Sequence, residues 1–550
     1  MPILKYLLSD MLLTATRTAQ TAGALPAGDI AVAVPFNTPK DRTLGHISSA
    51  MPMQLARPLG RKPLDIAEAI VAHLPTTGLI SAASITPPGF INLTYHPAWL
   101  AAQVDDVLTH GETYADLDLF SGQTAQVEYV SANPTGPLNV GRVRGGVIGD
   151  TMSNLLTAVG YTVTREYYFN NAGQQMTNLG ESLRRRYLQQ LGVEGITLDE
   201  DGLYQGDYLI ELAEKVVAEH GHALREADWQ PFKEIAEAAM FANIKATLAR
   251  LNIRHDVYFN ENSLIDSGAV QAVVDELFAR DLAYEQEGAV WFRATALGAE
   301  DDRVIIRSNG IPTYRLPDIA YHRNKLDRGF DLIIDVLGAD HKDSFPDVIR
   351  GLQALGYTNT DNVKLLMNQF VTFKGTRMST RKGNTLLLDD LIDELGADVV
   401  RFFLLMRAAE SHLDFDLDLA REQSDSNPVY YVQYAHARVC SILRKAESQA
   451  LSADGGNVAL LTHPSEQALI LRILELSDTI ALCVNQLAPH HLTSYARDLA
   501  ATFHTFYRDC QVIDPDQPAL SAARLKLVQA ARLALARTLH LIGVSAPEQM

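Results

Sequence analysis

The sequence predicts a multidomain α/β protein, and two patterns carry that prediction. Residues 124–169 alternate strand, helix and strand patterns, beginning with QVEYV and ending with YTVTREYYF. This order is typical of a βαβ unit in a parallel sheet. The tail from residue 426 carries apolar residues at helical spacing, which predicts four or five amphipathic helices. A chain of 550 residues is too long for one hydrophobic core, so we expect several domains.

Changes of pattern along the chain predict three domains. Residues 1–112 mix helical stretches with the strand-like IAVAVPF and ASITPPGFINLTY, which indicates a small α+β domain. Residues 113–405 hold the parallel sheet, and charged amphipathic helices at about 176–290 are interpreted as a helical insertion. Strand patterns resume after it, in GAVWFRA, DRVIIRS, FDLIIDVLG and VKLLMNQFVTF. Residues 406–550 predict an all-α helical bundle.

Composition and charge exclude several classes of protein. No uncharged apolar stretch approaches the roughly 20 residues that span a bilayer, so no membrane partner is expected. The three cysteines are too dispersed for a disulfide framework or a CxxC zinc site, which favours a reducing cytoplasm. The net charge of −19 argues against indiscriminate nucleic-acid binding, and DNA is not an expected partner. A local basic patch can still serve a specific RNA.

The stretch NPTGPLNVGRVRGG connects the first strand of the βαβ unit to its helix. The apolar period predicts that the helix begins close to Pro137. The first amide groups of a helix have no partner within it and carry partial positive charge, which favours phosphate. Asn139 and Arg142 are three residues apart and can face one ligand, and Gly141 permits a close approach. A plain connection with glycines that serve only packing is the open alternative.

A second basic stretch, KGTRMSTRKGN, occupies residues 374–384. Four cations lie within nine residues, with glycine on both sides: Lys374, Arg377, Arg381 and Lys382. A basic loop of this kind suits the leaving phosphates of a nucleotide. A solvated run of charges is the alternative for this stretch when it is considered by itself.

The two stretches together resemble the two ATP-binding signatures of class I aminoacyl-tRNA synthetases, of the His-Ile-Gly-His and Lys-Met-Ser-Lys-Ser types. Further motifs, distributed from end to end, look like those of the arginyl-tRNA synthetase family: VEYVSANPTGPL, YYFNNAGQQ, GIPTYRLPDIAYHRNK, SHLDFDLDLA, NPVYYVQYAHARVCSILRKA and APEQM. The resemblance implies that arginine and ATP give arginyl-adenylate, and that arginine then passes to the 3′ end of tRNA-Arg. It also implies a Rossmann-type catalytic core, an N-terminal tRNA-binding domain and a helical anticodon-binding domain.

A guanidinium group pairs best with carboxylates, so an arginine pocket requires acidic residues. Within the family motifs we predict Glu128, Tyr314 and Asp318 for the guanidinium, the last two on one helical face. Three further residues are predicted for the α-amino and carboxylate groups, namely Ser131, Asn133 and His341. The alternatives are a packing role for Tyr314, a helix-surface charge for Asp318, a loop role for His341, and pairing with a neighbouring base for Glu128.

The nucleotide site departs from the family signatures. Asn139 and Arg142 replace both histidines, and Thr380 stands where the second lysine is expected, with Arg381 or Lys382 as substitutes. The residues predicted to contact ATP are Pro137, Asn139, Gly141, Arg142 and Met378. The predicted catalytic residues are Asn139, Arg142, Arg377, Ser379, Arg381 and Lys382. Mg²⁺ on the phosphates is implied, although the sequence shows no dedicated metal-ligand cluster.

Aromatic and basic residues in one helix of the tail predict a tRNA contact. They can stack on and bond to unpaired bases, and we expect this of Tyr430, Gln433, Tyr434 and Arg438. Two rival hypotheses remain: a synthetase-like protein that binds tRNA without activating arginine, and a synthetase for another amino acid. The acidic pocket candidates disfavour the second. A monomer is expected by default.

Overall fold

The amino-terminal region is a small α+β unit in the computed structural model, which describes residues 3–39, 41–75, 78–171, 173–374 and 386–550. Its helices are α1 (Leu4–Thr21), α2 (Met51–Leu59), α3 (Pro63–Ala72) and α4 (Pro97–His110). Its antiparallel strands are β1 (Phe36–Asn37), β2 (Ile47–Ser49), β3 (Ile80–Thr86) and β4 (Phe90–Tyr95), in the order β1-β2-β4-β3. The predicted strand IAVAVPF is wrong except at Phe36. Ile30, Val32 and Val34 pack against the core without strand pairing.

The predicted βαβ unit is confirmed. The strand β5 (Thr124–Glu128) leads through α5 (Val140–Ala158) to β6 (Thr162–Phe169), which pairs with β5 in parallel. Three helices follow and share a core of their own: α6 (Gln174–Gln190), α7 (Tyr208–His220) and α8 (Trp229–Arg250). The chain then returns to the sheet in β7 (Val257–Asn260). This strand falls inside the helical insertion predicted for 176–290, because four residues are too few for a clear alternating pattern.

A smaller layer separates β7 from the next strand of the parallel sheet. It contains α9 (Asn262–Asp266), α10 (Ala269–Ala279) and an antiparallel sheet of β8 (Ala283–Gln286), β9 (Ala289–Phe292) and β10 (Arg303–Ile306). GAVWFRA and DRVIIRS therefore hold strands as predicted, but outside the parallel sheet. The core is completed by α11 (Arg315–Asp327), β11 (Leu332–Gly338), α12 (Phe345–Ala354) and β12 (Val363–Asn368).

The five parallel strands lie in the order β12-β11-β5-β6-β7. The chain proceeds from β5 to β7 on one side and from β11 to β12 on the other, so the direction of travel reverses between β5 and β11. This is a Rossmann-type arrangement, and ligands of such sheets bind beyond the carboxyl ends of the strands at the reversal. A ligand is therefore expected beside the segments that follow Glu128 and Gly338.

The carboxyl-terminal part is helical apart from one strand pair. The strands β13 (Val371–Lys374) and β14 (Leu413–Asp416) pair in parallel. Three helices lie between or just after them: α13 (Leu388–Leu395), α14 (Ala397–Leu405) and α15 (Leu417–Arg421). The predicted helical tail is confirmed as α16 (Pro428–Ser448), α17 (Pro464–Asn485), α18 (His491–Asp509) and α19 (Pro518–Ile542). Within the described ranges, no helix is long and apolar enough to cross a membrane.

Candidate active site

Three carboxylates lie side by side near the strand reversal. Glu166 on β6, Glu128 on β5 and Asp335 on β11 occupy paired positions in adjacent strands, and all three are buried. Arg328 bonds both carboxylate oxygens of Glu166, and the Tyr321 hydroxyl donates to one of them at 2.6 Å. Buried carboxylates of this kind persist only with positive or hydrogen-bonding partners.

Helix α11 supplies the remaining positive partners. Lys325 is fully buried and donates from Nζ to Glu128 Oε2 at 2.5 Å and also to Asp335. His322 Nε2 lies 2.8 Å from Asp335 Oδ2, and its Nδ1 lies 2.7 Å from the backbone carbonyl oxygen of Asp318. One face of α11 is thereby fixed to the sheet through charges that neutralise each other.

The titration of this network follows from its charges. Burial acts to lower the pKa of both Lys325 and His322, but the carboxylate of Asp335 raises both above their ordinary values. Burial acts to raise the pKa of Asp335, and Lys325 and His322 hold it well below its usual range. Both nitrogens of His322 face oxygen atoms, an arrangement that favours the doubly protonated ring. The network therefore favours its charged form.

Two further acids, Asp318 and Glu261, lie where α11 begins and β7 ends, and the charge of Asp318 acts on Glu261. Burial raises the pKa of Asp318 to about 6, against the positive charges of His322 and His341. Burial, followed by the negative charge of Asp318, raises the pKa of Glu261 to about 7. Glu261 is 8% exposed, and within the described residues its Oε2 has no hydrogen-bond partner. Asp318 is partly buried and Glu261 is buried, and acids whose like charges repel in such a place favour a nearby cation.

The structure does not present Glu128 as an open acceptor for a guanidinium. One carboxylate oxygen accepts from the Ser131 hydroxyl at 2.8 Å and the other from Lys325, and the residue is 5% exposed. Pairing with a neighbouring base, the alternative that the sequence left open, is the arrangement found. Glu128 therefore positions Ser131 and α11, and a direct contact with arginine stays a prediction.

The backbone after β5 is strained at two consecutive residues. Val130 and Ser131 have φ angles of 72° and 41°, a region that a β-branched residue such as valine seldom adopts. The turn directs the Ser131 hydroxyl back to Glu128, and that hydroxyl also accepts the backbone N–H of Tyr168 at 3.1 Å. Strain of this kind concentrates at functional sites, and here it fixes a residue that was predicted to bind arginine.

The other predicted arginine residues surround this turn and the start of α11. Tyr314 directly precedes α11 and is 81% exposed, which excludes a packing role for its ring. Asn133 donates from Nδ2 to Gln175 Oε1 at 2.8 Å. His341 lies in a short helical turn after β11, and its charge acts on Asp318. The segments after three neighbouring strands thus converge, as expected at a strand reversal.

The first nucleotide stretch differs in one respect from its prediction. Helix α5 begins at Val140, so Pro137 precedes the helix and Asn139 is the residue directly before it. The helix thus begins three residues after the predicted position at Pro137, because Leu138 and Asn139 pair with another segment instead of joining the helix. The Leu388 N–H donates to the Leu138 carbonyl at 2.9 Å, and Asn139 forms a β-bridge with Leu387.

This pairing joins the two predicted nucleotide stretches, since Leu387 and Leu388 follow the second one in the chain. Gly141 is exposed at the start of α5. The side chain of Arg142 lies outside the described part of the structure, and so do Arg377, Met378, Ser379, Arg381 and Lys382. Their assignments to ATP and to catalysis stay predictions.

Glycines inside α5 serve close packing. A Cβ on Gly149 would lie 2.4 Å from the Tyr129 side chain, and one on Gly146 would lie 2.8 Å from Val130. These glycines let the helix lie directly on the turn that follows β5. The packing alternative is thus correct for them, and it leaves the start of the helix available to a ligand.

The predicted tRNA-contacting helix, α16, presents an aromatic and cationic surface. Tyr430 and Tyr434 stack with ring centroids 6.2 Å apart. The Arg438 guanidinium lies 5.5 Å from the Tyr434 ring centroid and 5.2 Å from that of Tyr507, which is 38% exposed. Gln433 differs from its neighbours because it is buried. Its amide nitrogen donates to Asp398 and Ser545, so its contact with RNA stays a prediction.

Sequence reasoning missed Glu261 and the roles of His322 and Lys325. His322 and Lys325 stand in the motif GIPTYRLPDIAYHRNK, four and seven residues after Asp318, and helical spacing alone could have placed them on its face. Glu261 offered only a weak signal, a carboxylate directly after the short strand VYFN. Within the described residues, no group of three or more His, Cys, Asp or Glu could hold a metal ion.

Comparisons with known proteins agree with this geometry. Three family models match the chain: the arginyl tRNA synthetase N terminal domain at residues 8–95, the class I (R) tRNA synthetase catalytic domain at 103–403, and the DALR anticodon binding domain at 432–550.

Curated relatives named arginine–tRNA ligase match nearly the whole chain. The one from Salinibacter ruber is 45% identical over 529 residues, covering 92% of this chain and 94% of the relative. The one from Desulfotalea psychrophila is 46% identical over 521 residues, covering 93% and 94%. Thermus thermophilus arginyl-tRNA synthetase has the same fold, with a TM-score of 0.78 over all of both chains at 22% identity. The chain belongs to the arginyl-tRNA synthetase family.

Proposed function

We propose that the chain is an arginine–tRNA ligase that activates L-arginine with ATP and transfers it to the 3′ end of tRNA-Arg for protein synthesis. The observation that carries the proposal is the pair of acids beside the strand reversal, the buried Glu261 and the partly buried Asp318. A guanidinium beside both would neutralise their repulsion and satisfy the open oxygen of Glu261. A smaller or uncharged amino acid would leave the buried Glu261 oxygen without a partner, which costs free energy.

Activation requires positioning rather than covalent catalysis by the protein. The carboxylate oxygen of arginine attacks the α-phosphorus of ATP in line, the new O–P bond forms, and the bond to pyrophosphate breaks. A ribose hydroxyl at the 3′ end of the tRNA then attacks the carbonyl carbon of arginyl-adenylate, its proton is lost, and AMP leaves. Ser131, Asn133 and His341 are proposed to hold the α-amino and carboxylate groups for the first step, with Tyr314 at the pocket entrance.

The nucleotide is proposed to lie between the start of α5 and the basic stretch that begins at Lys374. Asn139 and the first amide groups of α5 favour phosphate oxygens, and the cations of 374–382 favour the leaving pyrophosphate. The described residues hold no metal-ligand group of their own, so we propose that Mg²⁺ enters bound to the phosphates of ATP.

The tRNA is proposed to contact the two terminal regions, 1–112 and 406–550. Tyr430, Tyr434 and Arg438 offer stacking surfaces and a cation for unpaired bases. The match of residues 432–550 to an anticodon binding domain supports the anticodon as their target. We propose a monomer that acts in the cytoplasm.

Two assays test the proposal. The purified chain should charge tRNA-Arg with radiolabelled arginine. It should exchange pyrophosphate into ATP in the presence of arginine and that tRNA, as the family resemblance implies. Lysine and glutamine should give no exchange under the same conditions. Tight binding of tRNA-Arg without charging would contradict the proposal and favour a non-enzymatic RNA-binding protein.

A further inference from the structure

A fully buried arginine, Arg144, lies within the first nucleotide stretch, one turn into α5. It is 0% exposed, and within the described residues its guanidinium donates to backbone carbonyl oxygens. The Nη1 atom lies 2.9 Å from the carbonyl oxygen of Gln369 and 2.7 Å from that of Ser411. The Nη2 atom lies 2.9 Å from the carbonyl oxygen of Ala408. Among the described residues, no carboxylate forms an ion pair with it, and its Nε has no hydrogen-bond partner.

Burying the Arg144 guanidinium in this way lowers the stability of the fold. A buried cation without a counter-ion has lost its hydration, and an unpartnered buried donor adds to the cost. Burial alone accordingly lowers the pKa of Arg144 to about 10. The planar fork of arginine has one advantage that an apolar side chain lacks, because it can hold several carbonyl groups of different segments in one fixed geometry.

The carbonyl groups belong to the segments that lead into one strand pair. Gln369 lies two residues before β13, and Ser411 lies two residues before β14. The strands pair from Val371 with Leu413 to Lys374 with Asp416, so both enter the pair beside Arg144. Lys374, at the far end of β13, is exposed and is the first cation of the basic stretch 374–382.

The other flank of the basic stretch is attached to α5 as well. Residues 386–388 pair with residues 138–140 through backbone bonds, which include the Leu388 N–H to the Leu138 carbonyl and the Asn139–Leu387 bridge. Thus α5 and the residues just before it anchor the chain on both sides of the basic stretch. One anchor is backbone pairing, and the other is the guanidinium of Arg144.

We propose that Arg144 is a positioning residue for ATP, which fixes the strand that carries Lys374 at a set distance from the start of α5. This inference rests on the proposed function. The residues proposed for arginine recognition lie in or directly before α11 and at or after the ends of β5, β7 and β11. In the described part of the chain, no hydrogen bond or ion pair joins them to β13 or β14. Arg144 therefore affects the nucleotide site selectively.

The chain offers a matched comparison in Arg401 on α14. It is also 0% exposed and donates to the carbonyl oxygens of Leu251 and Ile542, at 2.5 Å and 2.7 Å. It differs in having an acidic partner, Asp150 on α5, at 2.6 Å. These contacts join α5 to α8 and to the end of α19, away from both nucleotide stretches. Arg401 is thus a buried arginine of the same environment with an ordinary structural role.

The test compares Arg144→Lys, Arg144→Met and Arg401→Lys in ATP–pyrophosphate exchange with saturating tRNA-Arg. For Arg144→Met we expect the KM for ATP to rise about tenfold, because Lys374 would be displaced from the phosphates. Small displacements of positioned groups have effects of at least this size. Arg144→Lys retains the charge and three donors, so a smaller rise is expected. The KM for arginine and the Kd for tRNA-Arg should stay unchanged. Arg401→Lys should lower the melting temperature without raising the KM for ATP.

The outcomes separate the inference from the proposed function. An unaltered chain without exchange activity would overturn the proposed function itself. An active chain whose Arg144→Lys variant keeps the ATP KM of the unaltered protein would overturn the role of Arg144. So would a variant in which the KM values for ATP and arginine rise in parallel with a lowered melting temperature. If Arg144→Met does not fold, the Lys variant decides the matter.

Discussion

The proposed arginine side and the proposed nucleotide side of the active site are built by different means. On the arginine side, buried side-chain charges are paired in a fixed network that includes Lys325, Asp335 and His322. On the nucleotide side, the described contacts are mainly backbone bonds, such as that from Leu388 to Leu138, together with the carbonyl groups around Arg144. We infer that selecting a charged substrate side chain requires preorganised protein side chains. Phosphate binding can instead depend on helix amides and on cations held by the backbone.

We expect the largest effect from removing an acid on the proposed arginine side. Asp318→Ala should lower kcat/KM for arginine by at least about 10³-fold, because the guanidinium loses a buried ionic partner. The KM for ATP should remain within about twofold of the unaltered value, because the variant leaves the nucleotide contacts intact.

Steady-state exchange kinetics measure both constants for this variant. Asp327→Ala, at the exposed end of the same helix, is the control and should leave both unchanged. An arginine KM in Asp318→Ala equal to that of the unaltered protein would remove Asp318 from the pocket.

The second effect concerns stability rather than binding. Lys325→Met would leave Glu128 and Asp335 buried without their shared cation, and we expect a loss of about 3–5 kcal/mol in the local unfolding free energy. Hydrogen exchange of the β5 and β11 amides measures this directly. Lys364→Met, at an exposed position of β12, should change it by less than about 0.5 kcal/mol. Equal protection in the two variants would show that the network does not support the sheet.

The nucleotide side gives the third effect. Arg142→Ala should lower the rate of arginyl-adenylate formation about 10²-fold if its charge stabilises the phosphates, as the sequence predicts. Arginine affinity should not change. Rapid-quench measurement of adenylate formation, with exposed Arg225→Ala as the control, provides the comparison. An unaffected rate would exclude Arg142 from the nucleotide site.

The smallest expected effect is on the pH dependence of arginine use. The pKa of Glu261 is raised to about 7, so in the free protein its carboxylate forms only as the pH rises through that value. A raised pKa means that deprotonation costs stability, and bound arginine recovers that cost. Accordingly, kcat/KM for arginine should rise with pH up to about 7 and then level off.

Glu261→Gln should flatten this profile and lower its plateau about tenfold, since a charge-assisted bond to the guanidinium becomes a neutral one. Measurement of kcat/KM between pH 5.5 and 8.5 tests this, with exposed Glu285→Gln as the control. If kcat/KM for arginine depends on pH in Glu261→Gln as it does in the unaltered protein, another group titrates.

The fold was largely predictable because its main elements have clear periodicity. The βαβ unit and the helical tail follow directly from apolar spacing, whereas β7 was missed because four residues cannot display a pattern. In the proposed site, Asp318 was predicted from its motif and from its helical spacing to Tyr314. Glu261 was not predicted, and Glu128 was predicted to bind the guanidinium although it is paired with Lys325. Both differences have the same physical reason. Which carboxylate meets a cation of the protein and which one stays open depends on contacts between distant strands, which sequence spacing does not encode.

The central claim is that Asp318 and Glu261 select a guanidinium by its charge. The most direct test is the ratio of kcat/KM for arginine to that for citrulline, an uncharged molecule of nearly the same shape, in aminoacylation of tRNA-Arg. We predict a ratio of at least about 10³ in the unaltered protein and a fall of about 10²-fold in Asp318→Asn, because the variant removes the charge and keeps the shape. A ratio that is the same in Asp318→Asn and in the unaltered protein would contradict the account.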